Sequence, residues 1–355
     1  MAHNLYQNRG YIGRQAAWHD LGIVTGKYQT WEEIQHAGFM DFEVEKRQLL
    51  DPIKGSPVAA WGTFRRDDGS FLGAVGEDYT VIQHHNGFQT IDHLVNSVDG
   101  AHYETAGVLG NGEVVWGLAA LNREFEVVPG DVHKNYLLFS TSHDGSRSHE
   151  YRLTDTRVVC QNTLNCALST GARNALRVRH TKNAGERLAT VHSLIEDLNE
   201  QTTDVCAKMR ELVTRRTTRE SCTTIFDRLF PKTQRDNGRE ESSTVRENNI
   251  REILARFEGN DRNAFPEVRG TAYNLLNAIT EYTDHFRSTR GGERAQAAVF
   301  GSGDALKTKA FEYVYEVAGR DMPAMASQRT VFAPSRPIQL PEYQGSLLDS
   351  ILAEA

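Results

Sequence analysis

The densest polar chemistry in the chain lies at residues 139–182. Three clusters occupy this block: His143–Arg147, Arg157–Asn162 and Arg177–Lys182. Apolar, strand-like runs separate the clusters, as expected when an inner sheet presents polar residues at its ends and at one edge. Guanidinium, ammonium and imidazole groups recur here without a complete catalytic or metal-binding motif. The block therefore predicts capture of an anion or of a nucleic-acid backbone.

A basic surplus within this block identifies the candidate contacts. Between residues 171 and 187 the chain has five arginines and lysines against one acid, Glu186. Apolar and basic residues alternate in ALRVRH (175–180), so its two arginines share one strand face. Arginine forks onto phosphate oxygens, and imidazole rings can stack on bases or contact the sugar. The predicted nucleic-acid-binding residues are Arg147, Arg157, Arg173, Arg177, Arg179, Lys182, His143 and His180.

An enzymatic role for the same block would need a Cys–His pair. Cys160 would be the nucleophile, with His143 or His180 as the base and Asp144 as the orienting group. Cys160 ends the apolar run VVC, which favours a buried structural thiol over an accessible nucleophile. We therefore assign no catalytic residue.

Histidine spacing earlier in the chain does not match a metal site. Ligands on one helix face usually lie three or four residues apart, and His84, His85, His93 and His102 provide no such set with nearby carboxylates. A helix start and exposed imidazoles are the favoured interpretation. The stretch GSGDALKTK (301–309) likewise lacks the GxxxxGK[ST] pattern of a phosphate loop. The sequence therefore predicts no cofactor.

One carboxylate–histidine group does share a helix face. Glu281, Asp284 and His285 lie three and four residues apart in TEYTDHFRSTR. The trio is the candidate metal site, because a divalent ion held there would support phosphodiester hydrolysis. Ion pairs with Arg287 and Arg290, which tie the helix to the sheet, are the favoured alternative.

Composition limits the class of protein. A chain of 355 residues holds one large domain or two of ordinary size. No stretch approaches the roughly 18 apolar residues of a membrane span. The N-terminus lacks the apolar core of a signal peptide, so a cytoplasmic location is expected. The net charge of −7 argues against a protein that coats nucleic acid with its whole surface, and the local basic surplus opposes that sign.

The first half of the sequence predicts strands and the second half helices. Asp67–Ser70 and Gly110–Gly112 separate apolar runs and are typical of hairpin turns. YTVI (79–82) predicts a further strand, Thr30 begins a helix with a capping box, and Asn162 caps a short helix.

We expect an α+β protein in which an antiparallel β-sheet domain with hairpins and short helices precedes a largely α-helical region. The predicted segments are a β-rich α+β core domain at 1–180, a long helix and helical hairpin at 181–231, a polar linker at 232–243, a helical region at 244–322, and a proline-containing, acidic-amphipathic tail at 323–355.

Several motifs occur in order between Trp18 and Lys309. They are WHDLG (18–22), YTVIQ (79–83), SHDGS (142–146), RVVCQNTLN (157–165), RHTKNA (179–184) and NAITEYTDH (277–285) followed by RG. The set resembles the phage/plasmid-like family, which bacteriophages, prophages and plasmids encode and which has a domain of unknown function. The chain departs from the pattern at Tyr273, where tryptophan is expected. The resemblance implies a mobile-element protein that acts in the bacterial cytoplasm.

The element order from Tyr79 to Thr141 is also similar to the β-rich core of phage single-strand annealing proteins. Those proteins form rings or filaments, bind single strands along a basic groove and need no nucleotide. The likeness implies a homo-oligomer that binds, and anneals, single-stranded DNA. Two alternatives stay open: a metal-dependent phosphodiester hydrolase, and a non-catalytic inhibitor of a host defence protein. The acidic tail would then contact a host or phage protein.

Overall fold

The computed structural model describes residues 5–12, 23–24, 30–97, 100–157, 162–165, 175–181, 205–234, 240–259, 265–288 and 302–320. The chain divides into two compact units, each discontinuous in sequence. Unit 1 comprises residues 1–123, 134–155 and 169–202, and unit 2 comprises residues 124–133, 156–168 and 203–355. The five-segment division expected from the sequence stays a prediction.

Strands dominate the first half of the chain and helices the second, which confirms the predicted α+β class. The strands are β1 (Leu5–Ile12), β2 (Ile23–Val24), β3 (Val44–Leu50), β4 (Pro57–Arg65), β5 (Phe71–Val75), β6 (His102–Leu109), β7 (Val114–Glu126), β8 (Val132–Ser142), β9 (His149–Arg157), β10 (Asn162–Asn165), β11 (Ala175–Val178), β12 (Thr233–Gln234) and β13 (Glu240–Glu241). The helices are α1 (Trp31–Ala37), α2 (His84–Ser97), α3 (205–214), α4 (Arg219–Leu229), α5 (Thr244–Gly259), α6 (Ala272–Glu281) and α7 (Ser302–Arg320), with a 3-10 turn at Pro266–Val268 and a π-helix at Tyr282–Phe286.

Unit 1 contains two sheets. The larger one has the strand order β9-β8-β7-β6-β1-β2, and β11 pairs with β9. The β1–β6, β6–β7 and β9–β11 pairs are antiparallel, whereas the short β1–β2 pair is parallel. The smaller sheet, β3-β4-β5, is antiparallel throughout. Antiparallel pairing therefore dominates, as the sequence predicted.

Local turn chemistry explains the hairpins. The turns between β4 and β5 and between β6 and β7 place Gly69 and Gly110 at φ values of 74° and 66°, which glycine adopts without steric cost. Thr30 caps α1 in a capping box, because its hydroxyl accepts from the backbone N–H of Glu33 at 3.4 Å and the Glu33 carboxylate accepts in return at 3.0 Å. These three sequence predictions are confirmed.

Two local predictions are wrong. Residues 79–82 form no strand, since their backbone is held by individual bonds, such as that from Thr80 N–H to the His180 carbonyl at 3.0 Å, and by no continuous ladder. Asn162 begins β10 and caps no helix. In both segments contacts with residues distant in sequence override the local signal.

Helix α2 packs closely on the larger sheet because two glycines leave room for aromatic rings. A Cβ on Gly87 would overlap the ring of Phe139, and a Cβ on Gly117 would overlap the ring of Phe88. Phe88 is fully buried, stacks on Trp31 at 3.8 Å and meets Phe139 edge-on at 5.0 Å. These contacts fix the height of α2 above the sheet.

Unit 2 is built around α6, in which every residue is buried. Its Tyr273 hydroxyl donates to Asp131 Oδ2 at 2.7 Å and accepts from His133 Nε2–H at 2.8 Å. An indole at this position, as the family resemblance led us to expect, would supply a donor and no acceptor. Within the predicted linker at 232–243, β12 and β13 form a short antiparallel pair. Among the described residues, no helix combines the length and apolar character needed to cross a bilayer.

Replacing Gly117 with alanine should destabilise unit 1 by about 1–3 kcal/mol, because the added methyl group must displace the buried Phe88 ring. Urea unfolding followed by tryptophan fluorescence measures this, since Trp31, Trp61 and Trp116 lie in unit 1. The matched control is Gly76→Ala, where a Cβ meets no atom within 4 Å. Equal midpoints for the two variants would contradict the packing described.

Candidate functional site

The segment from Arg177 to His180 has one exposed face and one buried face. Arg177 and Arg179 are exposed, whereas Val178 and His180 are buried. This alternation follows from the strand geometry, in which successive side chains point to opposite sides. The prediction that the two arginines share a face is confirmed.

The neighbouring strand β9 is antiparallel to β11, and its Glu150 and Arg152 side chains are each only 14% exposed. Arg177 lies opposite Glu150, and its Nε–H donates to Glu150 Oε2 at 2.6 Å. The other carboxylate oxygen accepts from Arg152 Nε–H at 2.7 Å. Arg177 remains 60% exposed, and Arg179 is exposed beside it. Glu150 therefore binds two guanidinium groups, and the exposed charges of this segment are those of Arg177 and Arg179.

The buried face of the same segment joins a cluster of four buried histidines, His84, His143, His149 and His180. His84 Nε2 lies 2.8 Å from the carbonyl oxygen of Met40, which can only accept, so this nitrogen carries the proton. His84 Nδ1 is then an acceptor, and His143 Nε2–H donates to it at 3.2 Å. The tautomer of the first ring thus fixes the tautomer of the second.

His180 is held from both sides of its ring. Its Nδ1–H donates to the Thr80 carbonyl oxygen at 3.2 Å, while Nε2 is 3.4 Å from the Thr141 hydroxyl and accepts from it. The ring also stacks on Tyr79 at 4.8 Å, with planes 11° apart. These contacts orient the end of the β11 segment and, with it, the outward arginines.

His149 connects β9 to helix α2. Its Nε2 lies 3.2 Å from the hydroxyl oxygen of Tyr151, and that hydroxyl donates to the Gly87 carbonyl at 3.2 Å. Because the tyrosine proton is committed to the carbonyl, His149 Nε2 is the donor to tyrosine. Val178 pairs with His149 across the two strands, so the arginine-bearing strand packs directly beside this ring.

Burial keeps the four imidazoles neutral at neutral pH. Desolvation lowers the pKa of His84 and of His180 to about 4 and that of His149 to about 3. The pKa of His143 falls well below its ordinary value, because of burial first and then repulsion from the neighbouring histidines. In the described part of the chain, Nδ1 of His143 and Nδ1 of His149 are buried without a hydrogen-bond partner. The cluster is therefore a neutral polar core.

This burial changes the roles expected for two residues. We predicted base or sugar contacts from His143 and His180, but both rings are inside unit 1 and reach no base in this conformation. His84 was expected to be exposed at a helix start and is fully buried, because its ring satisfies Met40 and His143. The charge and polarity of a histidine in the sequence do not indicate which distant residues its ring will bind.

The remaining predicted nucleic-acid contacts are Arg147, Arg157, Arg173 and Lys182, and only Arg147 has a described side chain. Arg147 is half-buried in the turn before β9, where its backbone N–H donates to the Ser142 hydroxyl at 2.8 Å. Arg157 ends β9, and its side chain lies outside the described residues, as do Arg173 and Lys182 entirely. Cys160 also lies outside the described residues.

Sequence reasoning missed two residues of β9 that lie beside the exposed arginines, Glu150 and Arg152. A signal for both was present, because HEYRL alternates polar and apolar positions and places the two on one side of β9. Their importance depends on pairing with β11, which local sequence does not specify.

A family model described as a domain of unknown function, DUF932, matches residues 71–300. The chain belongs to this family. No curated protein and no solved structure matches the chain. The DUF932 segment includes all four clustered histidines and both exposed arginines of the β11 segment.

The DUF932 segment also contains the candidate metal trio. Asp284 accepts from Lys307 Nζ at 2.7 Å, and the two side chains are only 2% and 1% exposed. The ion-pair partner is thus a lysine of α7, because α7 packs against α6 and the π-helix. Arg287, the partner favoured from sequence, donates to the Ser302 hydroxyl at 3.3 Å, and Arg290 lies outside the described residues.

The remaining members of the trio, Glu281 and His285, are buried and half-buried respectively. Within the described ranges, no group of three or more histidine, cysteine, aspartate or glutamate side chains has a geometry that could hold a metal ion. The contact with Lys307 therefore supports a structural role for Asp284, as an ion-pair partner inside unit 2.

The stability of the DUF932 chain should fall steeply as the pH drops from about 6.5 towards 4. The unfolded histidines titrate near 6.5, whereas the folded rings resist protonation until about 4 for His84 and His180 and about 3 for His149. Protons therefore favour the unfolded chain in this window, and each ring contributes up to about 1.4 kcal/mol per pH unit. Urea unfolding at a series of pH values, followed by tryptophan fluorescence, measures the slope.

His84→Gln should reduce that slope by about one proton, because one titrating ring is removed. The control His36→Asn removes an imidazole that is 87% exposed and lies outside the cluster. A slope that is the same in all three proteins would contradict a neutral buried cluster.

Asp284→Ala should destabilise unit 2 by about 3–5 kcal/mol, because the buried ammonium of Lys307 loses its carboxylate. The double variant Asp284→Leu/Lys307→Met removes both charges and should recover most of the loss. Urea unfolding followed by far-ultraviolet circular dichroism compares them. Equal destabilisation by the single and the double variant would contradict the ion-pair account.

Proposed function

We propose that this DUF932 protein binds single-stranded nucleic acid through the two exposed arginines of the β11 segment, Arg177 and Arg179. The observation that carries the proposal is that Arg177 and Arg179 share one exposed face while Val178 and His180 anchor the same segment in the core. Arginines two positions apart on a strand lie about 7 Å from each other, which allows both to contact one phosphate backbone.

Preorganisation supports binding at this face. Glu150 holds Arg177 and Arg152 in place, which lowers the entropy that these long side chains lose when a ligand binds. Arg177 stays 60% exposed in this arrangement, so its guanidinium remains accessible to phosphate. Two exposed arginines on a chain of net charge −7 suit a defined contact with a strand rather than general coating.

The more specific proposal is a phage- or plasmid-encoded protein of DNA metabolism that anneals single-stranded DNA in the bacterial cytoplasm. The ordered motifs and the element order of the β-rich core support it, as does the exposed arginine pair. On this proposal the protein acts as a homo-oligomer and needs no nucleotide cofactor. The hydrolase alternative has less support, because the carboxylate of Asp284 already binds Lys307.

The double variant Arg177→Ala/Arg179→Ala should bind a fluorescent oligo(dT) strand more weakly than the parent protein. Loss of two phosphate contacts should also reduce the slope of log K against log salt by about 1.4. Fluorescence anisotropy across a salt series gives both quantities. The matched control is Arg251→Ala/Arg269→Ala, which removes two exposed arginines of unit 2 and the same charge.

A folded Arg177→Ala/Arg179→Ala protein with the parent's affinity and slope would remove the assignment to this face. Absence of binding by the parent protein at low salt would overturn the proposed function itself. An oligo(U) strand of the same length tests DNA against RNA. Mass in solution with and without the strand, together with annealing of complementary strands, separates an annealing assembly from a simple binding protein.

A further inference from the structure

Arg179 lies just beyond the end of the β9–β11 ladder. The last paired residues are Val178 and His149, so strand pairing holds Arg177 and leaves Arg179 outside it. Arg179 is nevertheless on the exposed side of the segment. Contact of both arginines with one phosphate backbone requires that the chain after the ladder is also held in place. Other contacts must therefore position Arg179.

The β5–α2 link, residues 76–83, supplies these contacts. Thr80 and His180 form a reciprocal pair, in which Thr80 N–H donates to the His180 carbonyl oxygen at 3.0 Å and His180 Nδ1–H donates to the Thr80 carbonyl oxygen at 3.2 Å. The neighbouring Tyr79 stacks on the His180 ring, with centroids 4.8 Å apart. The position of Arg179 therefore depends on the position of the link.

A lysine of β3 holds the link by its backbone carbonyl groups. Lys46 Nζ donates to the carbonyl oxygens of Glu77 and Tyr79, each at 2.7 Å. The ammonium group also lies 4.9 Å from the centre of the Trp61 ring. An ammonium has three N–H donors, so one side chain can bind two carbonyls and still face an aromatic ring. The half-buried Lys46 thus directs its charge at the link.

The other end of the link is fixed on the same strand. Gln83 Nε2–H donates to the Val44 carbonyl oxygen at 2.7 Å, and Val44 N–H donates to Gln83 Oε1 at 3.0 Å. Gln83 directly precedes α2, whereas Lys46 binds the link beside Tyr79. Loss of the Lys46 ammonium would therefore release the end of the link that contacts the β11 segment and leave the other end bound.

We propose that Lys46 is a positioning residue of the nucleic-acid site and acts on Arg179 through the β5–α2 link. This inference rests on the proposed function. Lys46 itself touches no ligand: it fixes the link, the link fixes His180, and the alternation of side chains then directs Arg179 outwards. Arg177 is held by the ladder with β9 and should not depend on Lys46. This difference between the two arginines separates positioning from a general loss of stability.

Lys46→Met removes the ammonium and keeps an unbranched side chain. With both arginines present, it should weaken oligo(dT) binding about fivefold at roughly 0.1 M salt and lower the slope of log K against log salt by about 0.7, the effect of one lost phosphate contact. The matched control Lys54→Met removes the same charge from the exposed tip of the β3–β4 hairpin and should keep the parent's affinity and slope. Fluorescence anisotropy across a salt series measures both quantities.

The sharpest comparison repeats Lys46→Met in two single-arginine backgrounds. In Arg177→Ala the loss should persist, at about fivefold. In Arg179→Ala the same change should have no further effect, because the residue that it positions is gone. Tyr79→Leu, which removes the ring stacked on His180, should reproduce this pattern, whereas Tyr79→Phe keeps the ring and should bind like the parent. Far-ultraviolet circular dichroism checks that each variant is folded.

Each outcome separates the two proposals. Parent-like affinity of folded Lys46→Met, or an equal loss in Lys54→Met, overturns the positioning role and leaves the proposed function standing if Arg177→Ala/Arg179→Ala binds more weakly than the parent. A loss of equal size in the Arg179→Ala background also overturns it, because the lysine would then act independently of that arginine. If Lys46→Met does not fold, Tyr79→Leu in the same backgrounds gives the answer. Absence of oligo(dT) binding by the parent overturns both proposals.

Discussion

A neutral imidazole in a dry interior has one donor and one acceptor, and much of unit 1 depends on that constraint. His84 donates to Met40, so it can only accept from His143, and the proton position on one ring dictates that on the next. If His84 had its proton on Nδ1 instead, the lone pair of Nε2 would face the lone pairs of the Met40 carbonyl oxygen. The pair therefore locks the start of α2 against the end of β8 in a single arrangement.

The same constraint extends to the arginine-bearing segment. His180 bonds the carbonyl of Thr80 and stacks on Tyr79, so the short link between β5 and α2 supports the end of β11. Because these contacts hold the His180 ring in the interior, the alternating side chains of Arg177 and Arg179 point outwards. The two outward arginines of unit 1 are thus positioned by hydrogen bonding on its inside.

Local chemistry made part of this fold predictable from sequence. Gly69 and Gly110 mark hairpin turns because those turns need positive φ, and the alternation in ALRVRH placed both arginines on one face. The same alternation puts His180 on the opposite face, yet its polarity favoured a ligand contact. Its partner Thr80 lies 100 residues away, a distance at which no local pattern carries information.

Unit 2 shows a related limit. Lys307 lies three and four residues from the buried side chains of Ala310 and Phe311, so helical periodicity places it on the inner face of α7. Lysine is rarely buried, and its position is understandable only once Asp284 is opposite. The burial of this lysine therefore depends on its pairing with a carboxylate distant in sequence, and not on its residue type alone.

The alternation of burial along residues 177–180 has a consequence for how such a protein can diverge. Neighbouring residues of this segment are under different constraints. Val178 and His180 must fit the interior, whereas Arg177 and Arg179 face the outside. Exchange of the outward pair costs the scaffold little, whereas exchange of the inward pair dismantles it. A lineage can therefore change the chemistry of the exposed face by substituting every second residue of this segment while inheriting the same core.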